Sequence, residues 1–69
     1  MTNATKPLVT AENFSGKGDD FYAALVAAHE GLSEADSHRL NARLVLILAN
    51  QIGDLAVLQA ALARARQGL

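Results

Sequence analysis

The sequence predicts an all-α fold, a compact three-helix bundle with an irregular N-terminal arm, and three observations carry that expectation. Hydrophobic residues make up 51% of the 69 residues but aromatics only 4%, so the apolar content is Leu, Ala, Val and Ile, which suits close helix packing better than a sheet. Apolar residues recur three and four positions apart over three segments. Each segment lies between residues with cap or stop chemistry, among them Asp20, Gly31, Ser33, Gly53, Asp54 and Gly68.

Sixty-nine residues allow one domain. A chain this short buries a modest share of its surface, and small folds usually gain stability from disulfides, a structural metal or a partner chain. With no cysteine in the sequence, the first is excluded. Six Lys and Arg against seven Asp and Glu give a formal net charge of −1 over mixed signs, so neither nucleic acid nor a membrane surface is expected as a partner. Residues 1–6 are polar, and the most apolar run, 44–49, is far shorter than the roughly 20 residues of a spanning helix. The expectation is a cytoplasmic protein.

Residues 1–18 show neither helical nor strand periodicity and contain Pro7 and a Ser15-Gly16-Lys17-Gly18 linker, so they read as a flexible or extended arm. Leu8, Val9 and Phe14 are apolar enough for part of this arm to lie in a groove of the body or of a neighbouring chain. Residues 19–69 form the three-helix domain. Helix one, about 20–30, opens at Asp19-Asp20, whose carboxylates can accept from the free N–H groups of the first turn and suit the positive end of the helix dipole. Phe21, Leu25 and Ala28 share one face, with Tyr22 and His29 along its edge. Gly31 supplies a left-handed stop, and Leu32 is placed to close a Schellman-type contact.

Helix two, about 34–52, is announced by Ser33-Glu34-Ala35-Asp36, a capping-box pattern with Asp in place of the longer Glu or Gln. Spaced about 100° apart, Leu40, Leu44, Val45, Ile47, Leu48 and Ile52 cover more than half its circumference, leaving a polar strip at Arg39, Arg43 and Asn50. A helix this apolar must be covered from more than one side, so it is the central one. Gly53 stops it and Asp54 caps helix three, about 55–67, whose expected buried stripe is Leu55, Leu58, Ala61, Leu62 and Ala65. Arg64 and Arg66 lie in its last turn, where positive charge is favoured.

Helices one and three offer few large side chains and cover two sides of helix two at most. The remaining surface, including Leu46 and Ile47, is exposed in a monomer, and such patches usually mark interfaces. The expectation is a homodimer with helix two near the two-fold axis; docking on a different protein is the alternative.

No catalytic set is visible, and no cofactor is expected. His29-Glu30 invites comparison with a zinc protease helix, but the residue four positions on is Ser33, beyond the Gly31 stop. His29, Glu30, Asp36 and His38 can gather only as an adventitious metal site at the first turn, so no metal is expected; the ring of His29 more simply packs on Tyr22 or Leu25 with one nitrogen bonded to a nearby group. Asn41 falls among apolar residues, where an unpaired amide costs roughly 1–3 kcal/mol, so it holds a turn or the arm, or fixes the register of a helix pair, the alternative being a polar contact in a ligand pocket. A helix-turn-helix reading of helices two and three fails because the second begins Asp54, Leu55, Ala56, Val57, acidic and then apolar. Gly16-x-Gly18 lacks a third glycine and a preceding strand, so it is a linker.

Asp19-Asp20-Phe21-Tyr22, Ala28-His29-Glu30-Gly31-Leu32-Ser33, Leu40-Asn41-Ala42-Arg43-Leu44 and Leu48-Ala49-Asn50-Gln51-Ile52-Gly53-Asp54 together resemble the signature of a family of short proteobacterial proteins known only as a domain of unknown function. The resemblance spans residues 19–66. Members often carry His at the position of Gln51, so no role of that histidine carries over. The resemblance implies no activity, cofactor or catalytic residue; it is consistent with an accessory subunit of a metabolic enzyme. The expected function is therefore a non-catalytic interaction or accessory module that self-associates through its central helix, with Leu46, Ile47, Asn41, Arg43, Asn50 and His29 as the candidate interface or polar network. The alternative is a small-molecule or metal-binding protein using the first interhelical turn and helix two.

Overall fold

The computed structural model describes residues 8–69; the first seven residues of the expected arm lie outside the described residues. Three helices follow in order, α1 Gly18–His29, α2 Glu34–Ile52 and α3 Leu55–Arg66, with no strand among the described residues. No helix among them is long and apolar enough to cross a membrane.

The chain enters α1 through a tight turn in which Lys17 N–H donates to the Phe14 carbonyl at 3.0 Å, with positive φ at both Ser15 (52°) and Gly16 (79°). Two positive-φ residues in succession are the mark of a type I′ turn, which Gly16 accommodates freely. The turn lays the Phe14 ring against Phe21, centroids 5.8 Å apart and planes at 23°, so the arm is anchored on α1 at that residue, while Val9 is exposed. It also changes the start of the helix. Lys17 stands at the N-cap with no side-chain cap bond, so neither Asp19 nor Asp20 caps; both sit in the first turn, where they act through the dipole alone.

The end of α1 also differs from the expected Schellman closure. Glu30 has φ −59° and ψ 134°, Gly31 has φ 76°, and Leu32 N–H donates to the His29 carbonyl at 3.2 Å. That is a type II turn, which needs positive φ at its third position, hence Gly31. α2 starts as its sequence suggests: the Ser33 hydroxyl accepts from Asp36 N–H at 3.1 Å. The reciprocal half of the box is replaced, because the Asp36 carboxylate accepts from Arg39 at 2.6 Å. Gly53, left-handed at φ 65°, ends α2, and Asp54 caps α3 by accepting from Val57 N–H at 3.1 Å.

The four-residue connection 30–33 joins α1 to α2 as an open hairpin, and half-buried Leu25, Leu40 and Leu44 line the groove between the two helices. α3 meets α2 through half-buried Ala49, Leu58 and Ala61, and through Val57, the one buried hydrophobic residue among those described. The expected stripe of α3 is corrected accordingly. Leu55 and Leu62 are 71% and 66% exposed, since α3 buries the side that carries Val57 instead.

The packing is shallow in energetic terms as well. The chain exposes 6060 Å², whereas a compact monomer of 7.3 kDa exposes roughly 4,200 Å². The extended segment 9–17, exposed throughout, is part of this surplus.

Candidate functional site

Two features are built by the α1–α2 hairpin. The first is polar. His29, in the last turn of α1, reaches two residues one turn apart on α2: its Nδ1 lies 2.9 Å from Ser37 Oγ and its Nε2 lies 3.1 Å from Asn41 Oδ1. A carbonyl oxygen only accepts, so Nε2 donates to Asn41; in the neutral ring Nδ1 then accepts from the Ser37 hydroxyl. His29 and Ser37 are half-buried and Asn41 is exposed. The imidazole thus makes both of its hydrogen bonds across the helix pair, where the sequence suggested one bond and packing on Tyr22 or Leu25. Asn41 is joined to His29 of α1 through its side-chain carbonyl.

Ser37 is the residue sequence reasoning passed over. The signal was present: Ser37 and Asn41 are four apart on one face of α2, and a short connection after His29 brings that face under the ring. A serine hydroxyl on an imidazole also describes a nucleophile and its base, but Ser37 N–H is used by the Ser33 carbonyl and Asp36 N–H by the Ser33 hydroxyl. Neither His29 nor Ser37 lines the groove described next. The arrangement ties two helices together.

The second feature is an apolar groove of about 890 Å³ along the other side of the hairpin, lined by Phe21, Leu25, Leu32, Leu40, Leu44 and Ile47. Ala24 and Ala28 leave the space open, since a methyl group stands where a larger side chain would fill it. Arg39 and Arg43 form its rim with Asp36. Arg39 is neutralised by Asp36 at 2.6 Å, side chains 68% and 50% exposed.

The remaining candidates are spread around α2. Leu46 and Ile47 are 71% and 65% exposed, Ile47 closing one end of the groove and Leu46 lying outside it. Asn50 is exposed and stands apart from the His29 network. The four residues considered as an adventitious metal site are dispersed: His38 faces Glu34 at 3.6 Å on the open side of α2, and Asp36 is held by Arg39. Among the described residues no group of three or more His, Cys, Asp or Glu gathers to hold a metal ion.

No curated protein and no solved structure matches the chain. Residues 8–67 match a family described as a protein of unknown function, DUF2783. The match takes in Leu8 and Phe14 of the arm as well as the hairpin that carries the network and the groove, and starts earlier than the resemblance at residue 19. Because it spans most of the 69 residues, the chain belongs to the DUF2783 family.

Proposed function

We propose that this chain is a non-catalytic interaction module of the cytoplasm that self-associates through α2 and serves as an accessory to another protein, such as a metabolic enzyme. The observation that carries the proposal is the exposed apolar run of the central helix, where Val45, Leu46, Ile47 and Leu48 are 59%, 71%, 65% and 45% exposed in succession. At about 25 cal/mol per Å², covering such a face is a large term for a chain of this size. Leu55 and Leu62 on α3 form a second exposed pair that supports docking to a different protein once α2 is covered. Sedimentation velocity of the full chain at micromolar concentration tests this. A dimer is expected; a monomer that takes up no hydrophobe-sensing dye would sink the proposal.

A second reading, a small-molecule binder using the first interhelical turn and α2, is favoured by the groove. At about 890 Å³ it has the size of a ligand pocket and reaches the turn at Leu32. A thermal-shift screen with metals and metabolites separates the two, since a large saturable shift belongs to the binder alone.

A further inference from the structure

We infer that Ser37 is an acyl-acceptor site, a hydroxyl that His29 primes to take the acyl group of an activated ester and to keep it. Activating such a nucleophile needs a base within about 2.6–3.2 Å of the hydroxyl and a third group that orients the base. Both conditions are met across the α1–α2 hairpin. His29 Nδ1 lies 2.9 Å from Ser37 Oγ, and Nε2 donates to Asn41 Oδ1 at 3.1 Å. With its one proton committed to Asn41, the neutral ring turns a lone pair to the hydroxyl. The base comes from the last turn of α1, the nucleophile and the orienting carbonyl from successive turns of α2. Ser37 is half-buried and Asn41 exposed, so the hydroxyl stands near the surface rather than in the core.

The step balances without a further reactant. Ser37 Oγ attacks the acyl carbon as its proton passes to Nδ1; the bond from that carbon to the leaving oxygen breaks, and the imidazolium gives the proton to the departing oxygen or to water. The ring ends neutral and Ser37 carries an ester. The backbone donors at this serine are already used, Ser37 N–H by the Ser33 carbonyl and Asp36 N–H by the Ser33 hydroxyl. Loss of one oxyanion donor costs roughly 10²–10³ in rate, so only an activated ester reacts and the ester formed is not turned over. Ser37 is thus a place of modification, in keeping with a non-catalytic chain. Esterification also removes the hydrogen that Nδ1 accepts, and with it one of the two bonds between α1 and α2.

The chain supplies its own reference hydroxyls, because among the described residues no imidazole bonds Ser15 or Ser33. The full chain is treated with p-nitrophenyl acetate at mildly alkaline pH, and the esters are placed by peptide mass spectrometry. Ser37 is expected to acylate roughly 100-fold or more faster than Ser15 and Ser33, the lower end of what a general base contributes. His29→Gln, which can still form hydrogen bonds but takes no proton, is expected to bring Ser37 down to the level of the other two, with helicity checked by circular dichroism. Asn41 is a positioning residue and is tested by rescue: Asn41→Leu should lower the Ser37 rate, and Asn41→Asp, which keeps an acceptor for Nε2–H, should restore it. Equal labelling of the three serines in the wild-type chain, or a fast Ser37 that persists in His29→Gln, would overturn the inference.

Discussion

Replacing His29 by alanine removes the two bonds that fasten the end of α1 to α2, and its cost can be worked from the geometry. The bonds to Ser37 and Asn41 are 2.9 and 3.1 Å long and join neutral groups. A neutral hydrogen bond contributes a net of about 1 kcal/mol, so the pair contributes about 2. The two halves are unequal: Asn41 is exposed and regains water, whereas Ser37 is half-buried and loses its acceptor where water is scarcer. Stabilities near 0.05–0.15 kcal/mol per residue put a chain of this length at roughly 3–10 kcal/mol, so the loss is a fifth of the total or more. For a domain of this size it corresponds to a fall in Tm of roughly 8–16 °C. Thermal unfolding followed by circular dichroism, at one fixed protein concentration because association raises Tm, measures it. Ser37→Ala and Asn41→Ala should each reproduce part of the loss. Combining either with His29→Ala should add almost nothing, since the shared bond is already gone. A Tm for His29→Ala within about 2 °C of wild type, or fully additive doubles, would refute the coupling of α1 to α2 through this ring.

Three further substitutions test other parts of the fold by the same melt. Ser33→Ala and Asp54→Ala each remove a side-chain acceptor from a helix N-terminus and should cost about 1 kcal/mol apiece, additively because the caps are on different helices; a neutral Asp54→Ala would deny it the capping role. Gly53→Ala should cost about 1–2 kcal/mol from its φ of 65° alone, because an added Cβ comes no closer than 3.7 Å to the Asn50 carbonyl, an ordinary contact; no loss would mean the left-handed turn relaxes freely. Val57→Ala should cost about 1.5–3 kcal/mol and Leu62→Ala much less, since Val57 is 9% exposed and Leu62 66%; equal costs would show that α3 buries the face expected from its sequence.

Much of the local structure was legible because its causes are local. Ser33, Gly53 and Asp54 act on backbone groups within four residues of themselves, and each performs the expected cap or stop. The entry to α1 was misread for the converse reason. Asp19 and Asp20 are good caps by type, but with the positive-φ turn at Ser15-Gly16 the helix starts two residues earlier than expected, at Gly18, and Lys17 takes the cap position by default. At the site, the sequence singled out His29 and Asn41 separately. Their meeting, and the part of Ser37, depends on how the connection 30–33 folds the hairpin, and that is a property of two helices rather than of either.

The amino-acid sequence by itself determined that the chain is all-α, where its helices are stopped, and that α2 is apolar around most of its circumference. These follow from propensity, capping and periodicity, whose reach is one helical turn. Only the tertiary structure decided which apolar residues are covered. Val57 is buried while Leu55 and Leu62, which the sequence pattern put in the buried stripe, are not, and Leu25 and Leu40 are half-buried while Ile47 is open. Burial is set by the relative placement of helices: small Ala24 and Ala28 line an open groove beside α2, and Val45, Leu46 and Ile47 stay exposed on the central helix.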